Sequence, residues 1–94
     1  MTILHVFARS RDKEVFKGDA YSVTSLNDKG VFDLLPRHEN FISIIHSYLL
    51  IDNPERGKIK IDLLGEAVMR VYSDNVDVFL SLSKAVPATP AVLK

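Results

Sequence analysis

Apolar and polar residues alternate along most of this chain, and a turn signal interrupts the alternation about every ten residues. Stretches with the period of an α-helix are scarce. Alternation puts every second side chain on the same face of a strand, which is the pattern of a half-buried β-sheet. The sequence therefore predicts an all-β fold, a small sandwich or flattened barrel of short strands in two sheets.

The clearest half-exposed strand is KIKIDLL, residues 58–64, in which Ile59, Ile61 and Leu63 share one face. It follows a strong turn signal, DNPERG, at residues 52–57. Further strands are predicted at residues 2–8, 13–18, 20–26, 31–35, 67–73 and 76–82. The last of them is expected to send alternate side chains inward, namely Val76, Val78, Leu80 and Leu82.

The segment FISIIHSYLLI, residues 41–51, is apolar over most of its length, whereas a strand with one solvent-exposed face alternates apolar and polar residues. We expect it either to be covered on both faces or to bend between two strands near His46 and Ser47. In both cases it forms the centre of the core.

Length and charge limit the possible roles. A chain of 94 residues and 10.6 kDa forms one domain, predicted at residues 1–82, with a flexible Ala/Pro-rich tail at 83–94. Twelve basic residues balance twelve acidic ones, so the formal net charge is zero and no net electrostatic field attracts nucleic acid or anionic lipid. The sequence has no cysteine and no leader-like or membrane-spanning apolar run, which predicts a soluble protein that stays where it is made.

Asp33, His38 and Ser43 have the residue types of a hydrolase triad. No G-x-S-x-G turn accompanies them, and isolated polar residues on strands and loops are the more common explanation. His5, His38 and His46 with Glu39 match no known metal-ligand spacing. The four glycines are isolated turn residues, not a phosphate-binding loop. We therefore predict no catalytic residue, no metal and no cofactor.

Three ordered blocks carry a resemblance to a known family. They are VFKGDA with Val23-Thr24, then GVFDLLPRH followed by NFIS, and finally NVDVFL at residues 75–80. Over Leu4 to about Leu82 the chain resembles the amino-terminal β-sandwich domain of the ε subunit of rotary F-type ATP synthases, the subunit called δ in mitochondria.

The resemblance implies about ten short strands in two sheets and a non-catalytic role in the central stalk. In the family, one side of the sandwich packs on the γ subunit and one end rests on the membrane c-ring. Carried over by position, the ring-facing residues are Val31, Asp33, Arg37, His38 and Glu39. The γ-facing residues are not identified. Such a subunit is a monomer when isolated, and it is held peripherally on the cytoplasmic face of a bacterial inner membrane through the complex.

Two departures from the family are visible. Gly65-Glu66 replaces a glycine pair, and Val31 and Asp33 stand where an acidic residue and a glycine are common. No helical pattern follows Leu82, so the family's inhibitory carboxy-terminal hairpin is expected to be absent.

The alternative role is a stand-alone β-sandwich module, derived from the same domain, that binds another protein. For residues 30–45 we expect a docking loop in which Arg37, His38 and Glu39 face a partner. Its anchors are expected to divide between the two sides of their strands; they are Phe32, Leu34, Phe41, Ile42 and Ile44.

Overall fold

A computed structural model describes residues 3–80, and within them all regular structure is β-strand. The strands are β1 (Leu4–Arg9), β2 (Glu14–Ala20), β3 (Ser22–Asn27), β4 (Gly30–Leu34), β5 (Phe41–Asn53), β6 (Gly57–Asp62), β7 (Ala67–Tyr72) and β8 (Asn75–Phe79). The predicted all-β class is confirmed. In this part of the chain there is no helix of the length and hydrophobicity needed to cross a membrane.

The strands form one curled sheet with two halves that share β5. One half has the order β2-β1-β8-β7-β5 and the other has the order β6-β5-β3-β4. All neighbours are antiparallel except β1 and β8, which pair in parallel with Val6 opposite Val76. The local pattern did not indicate this parallel pair.

β5 belongs to both halves because it bends at Ser47. Its first part, Phe41–Ile45, pairs with β7, and its last part, Tyr48–Asn53, pairs with β6. Ser47 has a left-handed backbone with φ of 76°, and the pairing of β3 with β5 shifts register at the same point. Of the two arrangements expected for this segment, the structure shows the bend near His46 and Ser47. Because it does not interrupt β5, the described residues contain eight strands where the resemblance implies about ten.

The core lies between the inner faces of the two halves. Its largest fully buried side chains are aliphatic or Met: Leu4, Leu34, Ile45, Leu49, Ile51 and Met69. The inward alternation predicted for β6 and β8 is confirmed, with Ile59, Ile61 and Leu63 packed on the core and Val76, Val78 and Leu80 buried. Leu82 and the predicted tail at 83–94 lie outside the described residues, and the domain boundary stays a prediction.

The side chain of Asn53 connects the β5–β6 turn to β2, a strand at the edge of the sheet. Its buried side-chain oxygen accepts hydrogen bonds from the backbone N–H groups of Glu55 (3.0 Å) and Arg56 (2.7 Å). Its amide donates to the carbonyl of Asp19 in β2 at 2.8 Å. One buried amide thus fixes the turn predicted at residues 52–57 and joins the two halves of the sheet.

The bend yields a stability prediction. A β-branched residue tolerates a positive φ poorly, so we expect Ser47→Val to lower the free energy of unfolding by about 1–3 kcal/mol in urea denaturation. Ser47→Gly, which adopts this φ without strain, should be at least as stable as the wild type. Ser47→Ala measures the separate contribution of the hydroxyl, which lies 2.9 Å from Nδ1 of His46. Equal stability of the Val and Ala variants would show that the bend does not depend on this conformation.

Candidate functional site

The candidate site is centred on the connection between β4 and β5, residues 35–40, which we call the 35–40 loop. It leaves one half of the sheet at Leu34 and enters the other at Phe41. Pro36 and Arg37 form a turn, and Arg37 has a left-handed φ of 70°. A non-glycine residue is rarely held in this conformation unless its surroundings fix it.

Contacts with the β7–β8 turn hold Arg37 in this conformation. Ser73 and Asp74 both have positive φ, 46° and 63°, as in a two-residue hairpin turn. The carboxylate of Asp74 accepts a hydrogen bond from the backbone N–H of Arg37 at 2.6 Å. The side-chain oxygen of Asn40 accepts one from the N–H of Ser73 at 3.2 Å. Two hydrogen bonds therefore hold the 35–40 loop on the turn.

Aromatic contacts support the loop from below. The ring of His38 lies 5.0 Å from that of Phe41, which meets Phe32 edge to face at 6.2 Å. Phe32 and Phe41 pack on the core and Leu34 is buried, so these three predicted anchors are confirmed.

The expected division between the two sides of the strand is also seen on β5, but Ile42 and Ile44, on the side opposite Phe41, are exposed and do not anchor the loop to the core. Ile42 and Ile44 are 68% and 54% exposed on the outer face of β5. Ser43, between them, faces inward and accepts a hydrogen bond from the side chain of Asn27 at 3.3 Å. Strand alternation permits only one of the two sets to face the core, and Phe41 and Ile45 belong to the set with Ser43.

The five residues predicted to face a c-ring form two groups. Val31 and Asp33 lie on the outer face of β4, where the Asp33 carboxylate accepts a hydrogen bond from the Thr24 hydroxyl at 2.5 Å. Arg37, His38 and Glu39 are exposed in the 35–40 loop. Among residues 3–80 no side-chain hydrogen bond or ion pair joins the two groups. Their role in binding a ring stays a prediction.

The side chains with catalytic or metal-binding chemistry have separate partners. Asp33 pairs with Thr24, Ser43 with Asn27, and Nδ1 of His38 lies 2.8 Å from the Glu39 carbonyl oxygen. These hydrogen bonds do not join the three residues into a Ser-His-Asp relay. The described part of the chain also contains no group of three or more His, Cys, Asp or Glu residues that could hold a metal ion. His5 instead pairs with Asp19 at 2.9 Å.

Sequence reasoning missed Asp74 and Asn40 as the residues that position the loop. Asp74 lies between the strands predicted at residues 67–73 and 76–82, and Asn40 begins the NFIS segment of the second block. The signal that favoured both was the residue type, because Asp and Asn tolerate left-handed backbone and accept hydrogen bonds from nearby N–H groups.

Solved structures that contain chains with a similar fold include those of two mitochondrial ATP synthases. One is a chain of the cryo-EM structure of the Euglena gracilis mitochondrial ATP synthase, OSCP/F1/c-ring, in rotational state 1, with a TM-score of 0.76 and 13% identity over 85% of this chain and 51% of the other. The second is a chain of the Tetrahymena thermophila mitochondrial ATP synthase central stalk/c-ring structure, with a TM-score of 0.63 and 13% identity over 82% of this chain and 62% of the other.

The chain has the fold of these ATP synthase chains. This confirms, at the level of fold, the resemblance carried by the three sequence blocks. The chain spans between half and two thirds of the length of these two ATP synthase chains. No family model matches the sequence, and no curated protein matches it.

The contact with Asp74 yields a prediction for the loop. Asp74→Ala removes the acceptor for the Arg37 N–H, so we expect trypsin to cleave after Arg37 several times faster, because cleavage follows the population of locally open states. Cleavage after Arg56, in the β5–β6 turn, is the internal reference and should keep its rate. Asp74→Asn retains an acceptor oxygen and should fall between the two. Equal acceleration at both arginines would instead indicate global destabilisation.

Proposed function

We propose that this protein is a non-catalytic subunit of the central stalk of a rotary F-type ATP synthase, where it fastens the γ subunit to the c-ring. The observation that carries the proposal is the fold shared with chains of two ATP synthase assemblies, one of them described as a central stalk and c-ring. The three ordered sequence blocks point to the same family independently of the structure. Ion-driven rotation of the ring would then pass through this domain to γ and support ATP synthesis.

The mechanism is mechanical. A part that transmits torque must deform little under load, and a close-packed core has low compressibility. The Phe32–Phe41 contact and the Asp74–Arg37 hydrogen bond link the exposed loop directly to packed strands. A force on the loop therefore acts on the whole sheet.

The ring-facing surface in this proposal consists of the 35–40 loop and the outer face of β4. Arg37 and Glu39 present opposite charges at the loop tip, and Asp33 adds a carboxylate on the strand. Such a mixed polar surface suits polar loops of a partner, with hydrogen bonds and ion pairs that weaken as salt rises. We propose that the isolated protein is a monomer, and that it reaches the membrane only through the complex, on the face that bears the F1 head. For a bacterial source this is the cytoplasmic face of the inner membrane.

The first test is native mass spectrometry of gently solubilised ATP synthase from the source membranes. We expect this chain at one copy per rotor, released together with γ and the c-ring. Its consistent absence from an otherwise complete rotor would contradict the proposal and favour the stand-alone binding module.

A charge reversal tests the loop itself. We expect Arg37→Glu to reduce the fraction of the protein retained on the solubilised rotor, because the exposed guanidinium is replaced by a like-charged neighbour of Glu39. The free energy of unfolding should change by no more than about 0.5 kcal/mol, since exposed loop charges contribute little to folding.

The matched control is Arg11→Glu, in the exposed β1–β2 turn at the far end of β1 from Asp74. It makes the same charge change outside the proposed surface and should leave retention unchanged. Equal loss of retention in both variants would remove the loop from the interface, and a large fall in stability for Arg37→Glu would mean that the residue supports the fold.

A further inference from the structure

The first part of β5 is an edge strand on one of its two sides. β6 and β7 follow one another along one side of β5, and β3 lies on the other side. β3 pairs with β5 only as far as Leu26 opposite His46, because β3 ends at Asn27 in the turn to β4. Within residues 3–80 no strand pairs with Phe41–Ile45 on the side of β3. We call this side of Phe41–Ile45 the β5 edge.

The β5 edge presents backbone groups that no neighbouring strand pairs. In an antiparallel ladder alternate residues direct their N–H and C=O groups to the partner strand, and the residues between them direct theirs away. About half of the residues from Phe41 to Ile45 therefore direct both groups to the β5 edge. The Ser43 hydroxyl lies 3.5 Å from the carbonyl oxygen of Ile44, which is at the long limit of a hydrogen bond. Backbone groups of this kind are a template for an added strand.

The β5 edge differs from the other edge strands in its charge. Those strands carry charged side chains: Glu14, Lys17 and Asp19 on β2, Asp33 on β4, and Lys58, Lys60 and Asp62 on β6. Charged residues on an edge strand hinder pairing with a further strand. Phe41–Ile45 contains no charged residue, no proline and no glycine. Of the four edges in the described part of the chain, the β5 edge alone lacks this protection.

The side chains along the β5 edge suit a neighbouring strand. Ile42 and Ile44 are both more than half exposed, and they lie two positions apart on the outer face of β5. A strand beside them would place alternate side chains next to both isoleucines, and β-branched or aromatic residues pack best in such cross-strand pairs. Uncharged apolar side chains are therefore favoured at these positions of the added strand.

The β3–β4 hairpin limits what fits beside the β5 edge. The Asn27 side chain donates a hydrogen bond to the Ser43 hydroxyl at 3.3 Å, and the Phe32 ring lies 6.2 Å from that of Phe41. The hairpin therefore lies beneath the edge. A single extended segment needs only about 5 Å beside β5, the ordinary spacing between strands. A second copy of this chain would bring its own hairpin to the same place, so a separate extended segment fits better.

We propose that the β5 edge binds an extended, uncharged segment of a partner protein, which adds a strand to the five-stranded half. Recognition uses backbone hydrogen bonds along Phe41–Ile45 and apolar contacts with Ile42 and Ile44, so it differs from the packing of a partner on a face of the sandwich. Because the paired segment is short, the contact is small and reversible. The proposal does not rest on the rotor function.

The test uses the intact chain and two synthetic peptides of eight residues with alternating Val and Thr. The second peptide has N-methyl groups on two adjacent central amides, and since neighbouring amides point to opposite sides of a strand, both of its edges lose a donor. We expect the first peptide to bind at least about tenfold more tightly in NMR titrations. The shifts that change should be those of Phe41–Ile45 and of the β3–β4 turn. At saturation, some amides of Phe41–Ile45 should exchange with solvent several times more slowly.

Matched variants locate the binding. Ile42→Lys and Ile44→Lys each replace an exposed apolar contact by a charge, and each should weaken binding of the first peptide about threefold or more. The control is Leu64→Lys, which makes the same change at a residue that is 96% exposed in the β6–β7 connection, on the other side of β5. It should leave the affinity unchanged. Urea denaturation of all three variants checks that they remain folded.

Several outcomes would overturn the proposal. They are failure of the first peptide to bind, equal binding of the two peptides, equal effects of the edge and control variants, and shifts centred on β2, β4 or β6. Slow exchange of Phe41–Ile45 amides without peptide would also overturn it, because residues 81–94 or a second copy would then already cover the edge. Sedimentation at several protein concentrations distinguishes these two. If the peptide binds as expected but the chain is absent from the rotor, only the rotor function is contradicted.

Discussion

The fold depends on one strand that changes sheets. β5 pairs with β7 through its first residues and with β3 and β6 through its last, and the change takes place at the left-handed Ser47. Because a single continuous strand supplies both halves, the inner faces close over each other without a linker. Ile45, Leu49 and Ile51, on either side of the bend, are all fully buried. A straight β5 would leave one of these faces in water.

The position of the candidate site follows from the same strand. β4 ends in one half and β5 begins in the other, so the 35–40 loop has to cross the open end of the sandwich. The backbone N–H and C=O groups of such a connection are not paired with a neighbouring strand, so they need other hydrogen-bond partners. The β7–β8 turn provides them through Asp74 and Ser73, and the Asp74 carbonyl also accepts a hydrogen bond from the N–H of His5 in β1. One short turn thereby orients the loop and starts the parallel β1–β8 pair.

The sequence predicted those features that depend on neighbouring residues. Alternation located the strands, and the apolar run of β5 left two arrangements, burial on both faces or a bend. The contact of Arg37 with Asp74 joins residues 37 positions apart, and the parallel pairing of β1 with β8, with Val6 opposite Val76, is still more distant, so no local pattern contains either. Which side of β5 faces the core was also not predictable, because Phe41 and Ile45 give one side of the strand the same apolar signal that Ile42 and Ile44 give the other. Only the inward hydrogen bond of Ser43 distinguishes the faces, and its partner Asn27 lies in another hairpin.

The 35–40 loop is mechanically continuous with the five-stranded half of the sheet. It enters β5 at Phe41 and is hydrogen-bonded to the turn from which β8 begins, and β5, β7 and β8 are neighbours in that half. A force applied to the loop acts along these strands and loads many ladder hydrogen bonds together, so no single bond has to carry it. A domain with one partner on the loop and another on the sheet can therefore hold both in a fixed relation. That property is what a joint in a rotating stalk requires, and it would serve a static adaptor between two proteins equally well.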